Sequence, residues 1–286
     1  MKRFFSLFSA LGILPLLAGC GRLATIPMSP QTTPDQWLAT HPHLNIEIFS
    51  RALVLAKPSS SAIVYFLALV TLAAGFVFLR GREDQKSKTW WGIALLLWGI
   101  GTVLAGTSYQ AFAWEIKCAG QETCSWTSWF EVLYMIFEVA SVNAMVYAVA
   151  WSTLNERHRA WVRVYVLANT GIYLVVALAG ALIPSWFLVS FELMLLFCIP
   201  GLIAAFIFNV RGYREHHDIM NRNLVIAWII LFLVMVAYYG YLMAGYGEKL
   251  WEKGIWFSAN DVLHIGLVIW MLYLAGIVSG KVRDRT

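Results

Sequence analysis

Five carboxylates and one histidine sit where an apolar chain has least reason to keep them. Glu115, Glu131, Glu138, Glu192 and Asp261, together with His264, lie within or beside long apolar segments. Ionisable groups at membrane depth are costly and normally face a bundle interior or a wet cavity. Glu131 and Glu138 are seven residues apart, which is about 700° of helical rotation, so they share one face roughly 10 Å apart along the axis. Tyr134 falls between them at i+3, and Asp261 and His264 are themselves i, i+3 neighbours able to meet. A histidine beside a carboxylate is adequate general acid–base equipment. This pattern makes Glu138, Glu192, Asp261 and His264 the candidate catalytic residues, and Glu138, Asp261 and His264 the candidate metal ligands. Ser108, Gln110, Glu131, Tyr134 and Asn260 are expected to line the same cavity. Neither Lys nor Arg lies in that layer, so the acids are expected to be protonated, hydrogen-bonded or bound to a cation.

The elements that must position these side chains are helices. Hydrophobic residues make up 60% of the 286-residue chain and charged residues 13%, against roughly 25% charged in soluble domains. Long apolar runs cover 62–79, 90–114, 129–151, 161–183, 186–208, 224–246 and 257–279. Each approaches the ~20 residues that an α-helix needs to cross the hydrocarbon core. Alternating segments of about ten residues, as in a membrane β-barrel, are not what these runs look like. The expected fold is all-α, a seven-transmembrane helix bundle with membrane lipids as its surroundings.

The chain begins as a sorting signal would. Lys2 and Arg3 precede the apolar stretch Phe4 to Leu17, followed by Leu17-Ala18-Gly19-Cys20, the order of regions in a secretory signal peptide. The Leu-Ala-Gly-Cys run resembles the bacterial lipobox, which implies lipidation of Cys20 and cleavage before it. The expected organisation is a signal over 1–19, an outer tether over 20–61, the bundle over 62–280 and a tail over 281–286. Prolines 27, 30, 34, 42 and 58 speak against a compact domain in the tether, although 45–56 has the composition of a short amphipathic helix lying on the membrane. With residue 21 outside, thirteen Lys and Arg residues fall in the inner connections and tail, against six outside. That bias follows the positive-inside rule and places the chain in a bacterial inner membrane with its N-terminus outside and its C-terminus inside. The net charge of +5 is spread over short loops and forms no stripe for nucleic acid. Cys118 and Cys124 fall in an outer loop, where an oxidising compartment favours a disulfide.

Three resemblances attach to these residues. The run Gly106-Thr107-Ser108-Tyr109-Gln110-Ala111-Phe112, the Cys118/Cys124 loop with Trp126-Thr127-Ser128-Trp129, and Ser258-Ala259-Asn260-Asp261-Val262-Leu263-His264 resemble an uncharacterised bacterial seven-helix membrane family. The layout is also similar to the CREST hydrolases, which include alkaline ceramidases and hold zinc between a Ser, an Asp and several His. Ser108 and His264 match that pattern. Asn260 stands where the second His of the final pair belongs, and Phe112 where the second-helix His belongs, so the ligand set for zinc is incomplete. Tyr239-Gly240-Tyr241-Leu242-Met243 and the Asp261 region look like the last two helices of microbial rhodopsins. Retinal needs a lysine on the seventh helix, and none occurs there before Lys281; retinal attachment is excluded.

Two function classes follow. One is small-ligand or lipid binding and sensing in a buried polar cavity; the other is a CREST-like membrane hydrolase acting on a lipid, amide or ester. The spans do not divide into two matching halves, so there is no transporter signature.

Overall fold

The apolar runs fold as seven long helices. A computed structural model describes residues 22–48 and 50–285, so the expected signal sequence and the lipidation of Cys20 lie outside the described residues. The spans are Pro58–Arg80, Lys86–Ala111, Trp129–Thr153, Glu156–Leu182, Phe191–His216, Ile219–Met243 and Ala259–Val278, each long and apolar enough to cross a membrane. The chain is a polytopic membrane protein. Several spans start several residues before their apolar runs, because Lys86, Lys88 and Arg222 ride on helical ends where long stems let a charged head reach water.

Local chemistry sets the helix starts. Pro58 occupies the first turn of the first span, where a missing N–H costs nothing. Asn155, Ser190 and Asp218 accept from the amides of His158, Leu193 and Asn221, closing the fourth, fifth and sixth starts. The seventh opens on a reciprocal capping box between Ser258 and Asp261.

Packing follows from which helix is buried. The third span is 72% buried over its most apolar window, against 22–56% for the other six, and it packs against the second, fourth and fifth. The second also packs on the first, the first on the seventh, the seventh on the sixth and the sixth on the fifth. Six helices therefore close a ring, and the fourth lies outside it against the third. One end of this ring is filled by tryptophans in tilted contact: Trp98 lies 5.3 Å from Trp270 between centroids, Trp91 6.0 Å from Trp228, and Trp228 6.4 Å from Trp270. That plug lies toward the end where Asp284 accepts from the amides of Lys86 and Ser87, closing the second helix start with the C-terminal tail. The opposite end is left to a different structure.

Two glycines let the first two spans approach closely. A Cβ on Gly92 would lie 2.6 Å from Leu79 Cγ and 3.1 Å from the Gly75 carbonyl, and one on Gly99 would lie 2.7 Å from the Leu72 side chain and 3.2 Å from its backbone nitrogen. Gly92→Val is therefore expected to cost about 1–3 kcal/mol through overpacking. Thermal unfolding in detergent checks this; an unchanged midpoint would contradict so close a crossing.

Residues 22–56 differ most from expectation. The segment is a folded roof over one end of the ring, not a tether, so the fold is not purely helical. Thr33 and Gln36 form a capping box that starts the helix Pro34–Thr40, with Pro34 in its first turn. The stretch read as an amphipathic helix is an antiparallel hairpin, His43–Ile48 with Arg51–Ala56, in which Leu44 faces Leu55 and Ile46 faces Leu53. Its apolar residues alternate, Leu44, Ile46 and Ile48 on one strand, and the period is two rather than 3.6. Trp37, 3% exposed, anchors a small core with Ala56, Ala113, Cys118 and Cys124.

Candidate functional site

Beneath the roof lies a cavity of about 420 Å³. All six ring helices contribute to its wall, and the helix outside the ring does not: Val64, Tyr109 and Gln110, Glu131 and Tyr134, Glu192, Tyr238, and Asn260 with His264 come from the first, second, third, fifth, sixth and seventh spans in turn. The roof supplies Trp37 and His41, and Lys57 stands where roof and first span join.

The second span reaches the wall through a local widening. The Phe112 amide donates to the Thr107 carbonyl five residues back, at 2.9 Å, and residues Gly106–Ala111 form a π-helical turn. Such turns insert an extra residue and re-aim side chains, frequently at functional sites. Here Tyr109 and Gln110 both line the cavity while Ser108 turns away from it, toward the third span.

Glu131 is the anchor of the polar wall. Its Oε1 accepts from Lys117 Nζ and from Ser108 Oγ, each at 2.8 Å, and Ser128 Oγ lies 2.7 Å from Ser108 Oγ. Because Ser108 donates its hydrogen to the carboxylate, Ser128 donates to Ser108. The pair is nearly sealed, with Lys117 6% and Glu131 1% exposed. This overturns the expectation that no basic residue meets the acids. Lys117 ends the short helix Ala113–Lys117 beyond the π turn, and from there its ammonium reaches Glu131. It also lies 5.0 Å from the Tyr109 ring centre, and Tyr109 meets Tyr134 edge-on at 6.2 Å.

The four residues expected to converge do not do so. Glu192 and His264 are on the wall. Asp261 is fully buried, but its Oδ2 accepts from the Ser258 amide at 2.6 Å and the Ser258 hydroxyl at 2.9 Å. Helix capping takes Oδ2, while Oδ1 has no hydrogen-bond partner among the described residues, His264 included. Glu138, 8% exposed, is not on the wall, and its Oε2 has no hydrogen-bond partner among the described residues. Sharing a face with Glu131 was not enough, because two turns place it on another level. Among the described residues, no three His, Cys, Asp or Glu side chains form a metal-binding set, so Glu138, Asp261 and His264 are not a shared ligand group. Gln110, Glu131, Tyr134 and Asn260 line the cavity, whereas Ser108 supports it from behind. Glu115 belongs to the roof: its Oε1 accepts from the Val54 amide at 2.7 Å.

The roof and its junction with the first span bring Trp37, His41 and Lys57 to the wall, which was not anticipated from the sequence. The Thr33-x-x-Gln36 signature with Pro34 in its first turn was the signal that could have found the helix carrying Trp37 and ending at His41. His41 stacks on Trp37 at 4.1 Å with the rings nearly parallel, and its Nδ1 lies 2.9 Å from the Trp37 carbonyl. A carbonyl can only accept, so Nδ1 carries the hydrogen and Nε2 keeps its lone pair. Burial, with Lys57 nearby, pulls the His41 pKa down to about 4, which leaves the ring neutral at ordinary pH.

Cys118 and Cys124 are disulfide-bonded, and their loop is the stitching point of the roof. The Met28 amide donates to the Cys124 carbonyl at 3.0 Å, the Cys124 amide to Thr32 at 2.8 Å, and the Trp126 amide to Ile26 at 2.7 Å. The same loop leads from Lys117 toward Glu131, so roof and charged pair are held by one cross-link.

Two polar atoms on the wall are buried without a partner among the described residues: Gln110 Oε1 and His264 Nδ1. Buried polar groups are almost always hydrogen-bonded, to protein or to something that occupies the space beside them. The sequence matches no model of a known protein family and no characterised protein.

Proposed function

We propose that this chain is a bacterial inner-membrane protein that binds a small ligand or lipid in the roofed cavity, with the roof on the periplasmic side. The carrying observation is a cavity of about 420 Å³, within the size range of small-molecule sites, walled by six helices and edged by the unpartnered Gln110 Oε1 and His264 Nδ1. Ordinary helix packing would have filled this end of the ring as the tryptophans fill the other. Orientation rests on the basic residues concentrated at the tail end and on the disulfide at the roof end, which suits an oxidising compartment. A hydrolytic reading gains nothing from Ser108, whose hydroxyl is given to Glu131.

Native mass spectrometry of protein extracted from its own membranes in a mild non-ionic detergent tests the binding reading. One bound small molecule per chain is expected, lost in Ala105→Trp, which fills the wall from the second span. A bare mass for both proteins would contradict it. A single cysteine placed at Gln121 should react with an impermeant reagent from outside the inner membrane, and one at Arg283 should not; the reverse would overturn the orientation.

A further inference from the structure

We propose that the cavity selects an anion carried on an apolar body, a carboxylate or phosphate amphiphile, and that Lys57 is the residue that holds its charge. The inference rests on the binding reading and goes further by naming the ligand class.

The wall carries two ammonium groups in unequal circumstances. Lys117 is neutralised by Glu131 at 2.8 Å. Lys57 has no carboxylate within ion-pair distance among the described residues. Among the described residues, the only hydrogen bond of its ammonium is a long one, 3.4 Å to the Tyr109 carbonyl. Its Nζ lies 5.6 Å from the Trp37 ring centre and 5.8 Å from that of Trp256, and the Trp256 indole is fixed by donating to Ser60 Oγ at 3.0 Å. Aromatic faces return part of the hydration an ammonium loses. They do not supply acceptors, and an ammonium has three donors. A half-buried cation with one weak acceptor, opening on a cavity, lacks the anion that would complete it.

The rest of the wall describes the body of that ligand. Tyr109, Tyr134, Phe191 and Leu263 offer aromatic and aliphatic surface, and Gln110 adds a buried amide. Glu192 also reaches the cavity, but it is exposed and can be satisfied by water. The groups acting electrically on Lys57 are Lys117, His41, Asp261 and Glu131. Burial first, and then the Lys117 ammonium, push the Lys57 pKa down to about 8. His41 stays neutral throughout the range above its own value of about 4. An anion needs the protonated amine, so its affinity should fall as pH rises above about 8, approaching tenfold per pH unit.

The test is binding of decanoate, decyl phosphate, decanol, acetate and inorganic phosphate to the full-length protein in nanodiscs, measured by calorimetry at pH 7 and pH 9. Decanoate or decyl phosphate should bind on the order of 10- to 100-fold tighter than decanol, the range of a hydrogen bond to a charged group. Lys57→Gln should erase that preference, while Lys57→Arg should keep it and flatten its pH dependence. Equal binding of decanol, no binding of either anionic amphiphile, or an intact preference in Lys57→Gln would overturn the proposal. Acetate or phosphate binding as tightly as the amphiphiles would overturn its apolar half and identify a free anion as the ligand. If the membrane-derived adduct persists in Lys57→Gln yet is lost in Ala105→Trp, the anion inference fails and the binding reading stands. No adduct in any protein means the binding reading itself has failed.

Discussion

Glu131→Leu is expected to destabilise the protein by about 3–5 kcal/mol, because it leaves the Lys117 ammonium buried without its counter-charge. The partners are 2.8 Å apart and almost inaccessible, so water cannot take over for the missing carboxylate. The substitution also strands the Ser108 hydroxyl, which donates to the same oxygen. Lys117→Met combined with Glu131→Leu should recover most of the loss, since replacing both buried charges with apolar groups is often neutral or better. The non-additivity is the diagnostic quantity, and a double-mutant cycle measured by chemical unfolding in detergent isolates it. A double variant no more stable than Glu131→Leu alone would mean that the pair does not exist as described.

Trp37→Ala should cost a similar amount, about 3–5 kcal/mol for a fully buried tryptophan, but the loss should be local. Trp37 belongs to the small roof core, with Ala56, Ala113 and the disulfide cysteines, which is separate from the bundle core. Local opening energies are set by the contacts of the local unit, so the roof should open while the ring stays folded. Trypsin cleavage after the exposed Arg51 in the hairpin should accelerate on the order of 100-fold, the factor that about 3 kcal/mol implies. Helix content and the unfolding midpoint of the bundle should change little. A variant that loses the whole bundle cooperatively would show that roof and ring are one folding unit. The same variant should lose its membrane-derived ligand, because Trp37 and its stacking partner His41 are both wall residues.

The seven spans were legible because each apolar run is long enough to announce itself without knowledge of its neighbours. Gln110, Tyr134 and Asn260 were legible for a related reason: a polar residue in such a run has to face something other than lipid. What could not be read were competitions between partners. Asp261 lies on the same helix face as His264, but the amide and hydroxyl of Ser258 hold its Oδ2, and its Oδ1 does not meet the imidazole. Lys117 lies six residues beyond the end of the second span at Ala111 and meets Glu131 through the short helix Ala113–Lys117, which no apolar run announces. Glu138 obeyed the periodicity and still missed the cavity, since a heptad fixes the face but not where the cavity ends. The roof was obscured by its prolines, which read as irregular chain although Pro34 and Pro58 each begin a helix. The alternation of Leu44, Ile46 and Ile48 was a strand signal that a helix-dominated chain made easy to pass over.

On the proposed reading, the end of the ring opposite the tryptophan plug holds a ligand under a folded roof. A density map of the full-length protein, purified from its own membranes without delipidation and held at pH 7, tests it directly. Non-protein density is expected in the space bounded by Trp37, Tyr109, Glu131 and His264, with a head group within about 3 Å of Lys57 Nζ, the distance of a charge-assisted hydrogen bond. A roof in place over a cavity holding only water, or residues 22–56 folded away from the ring, would contradict it.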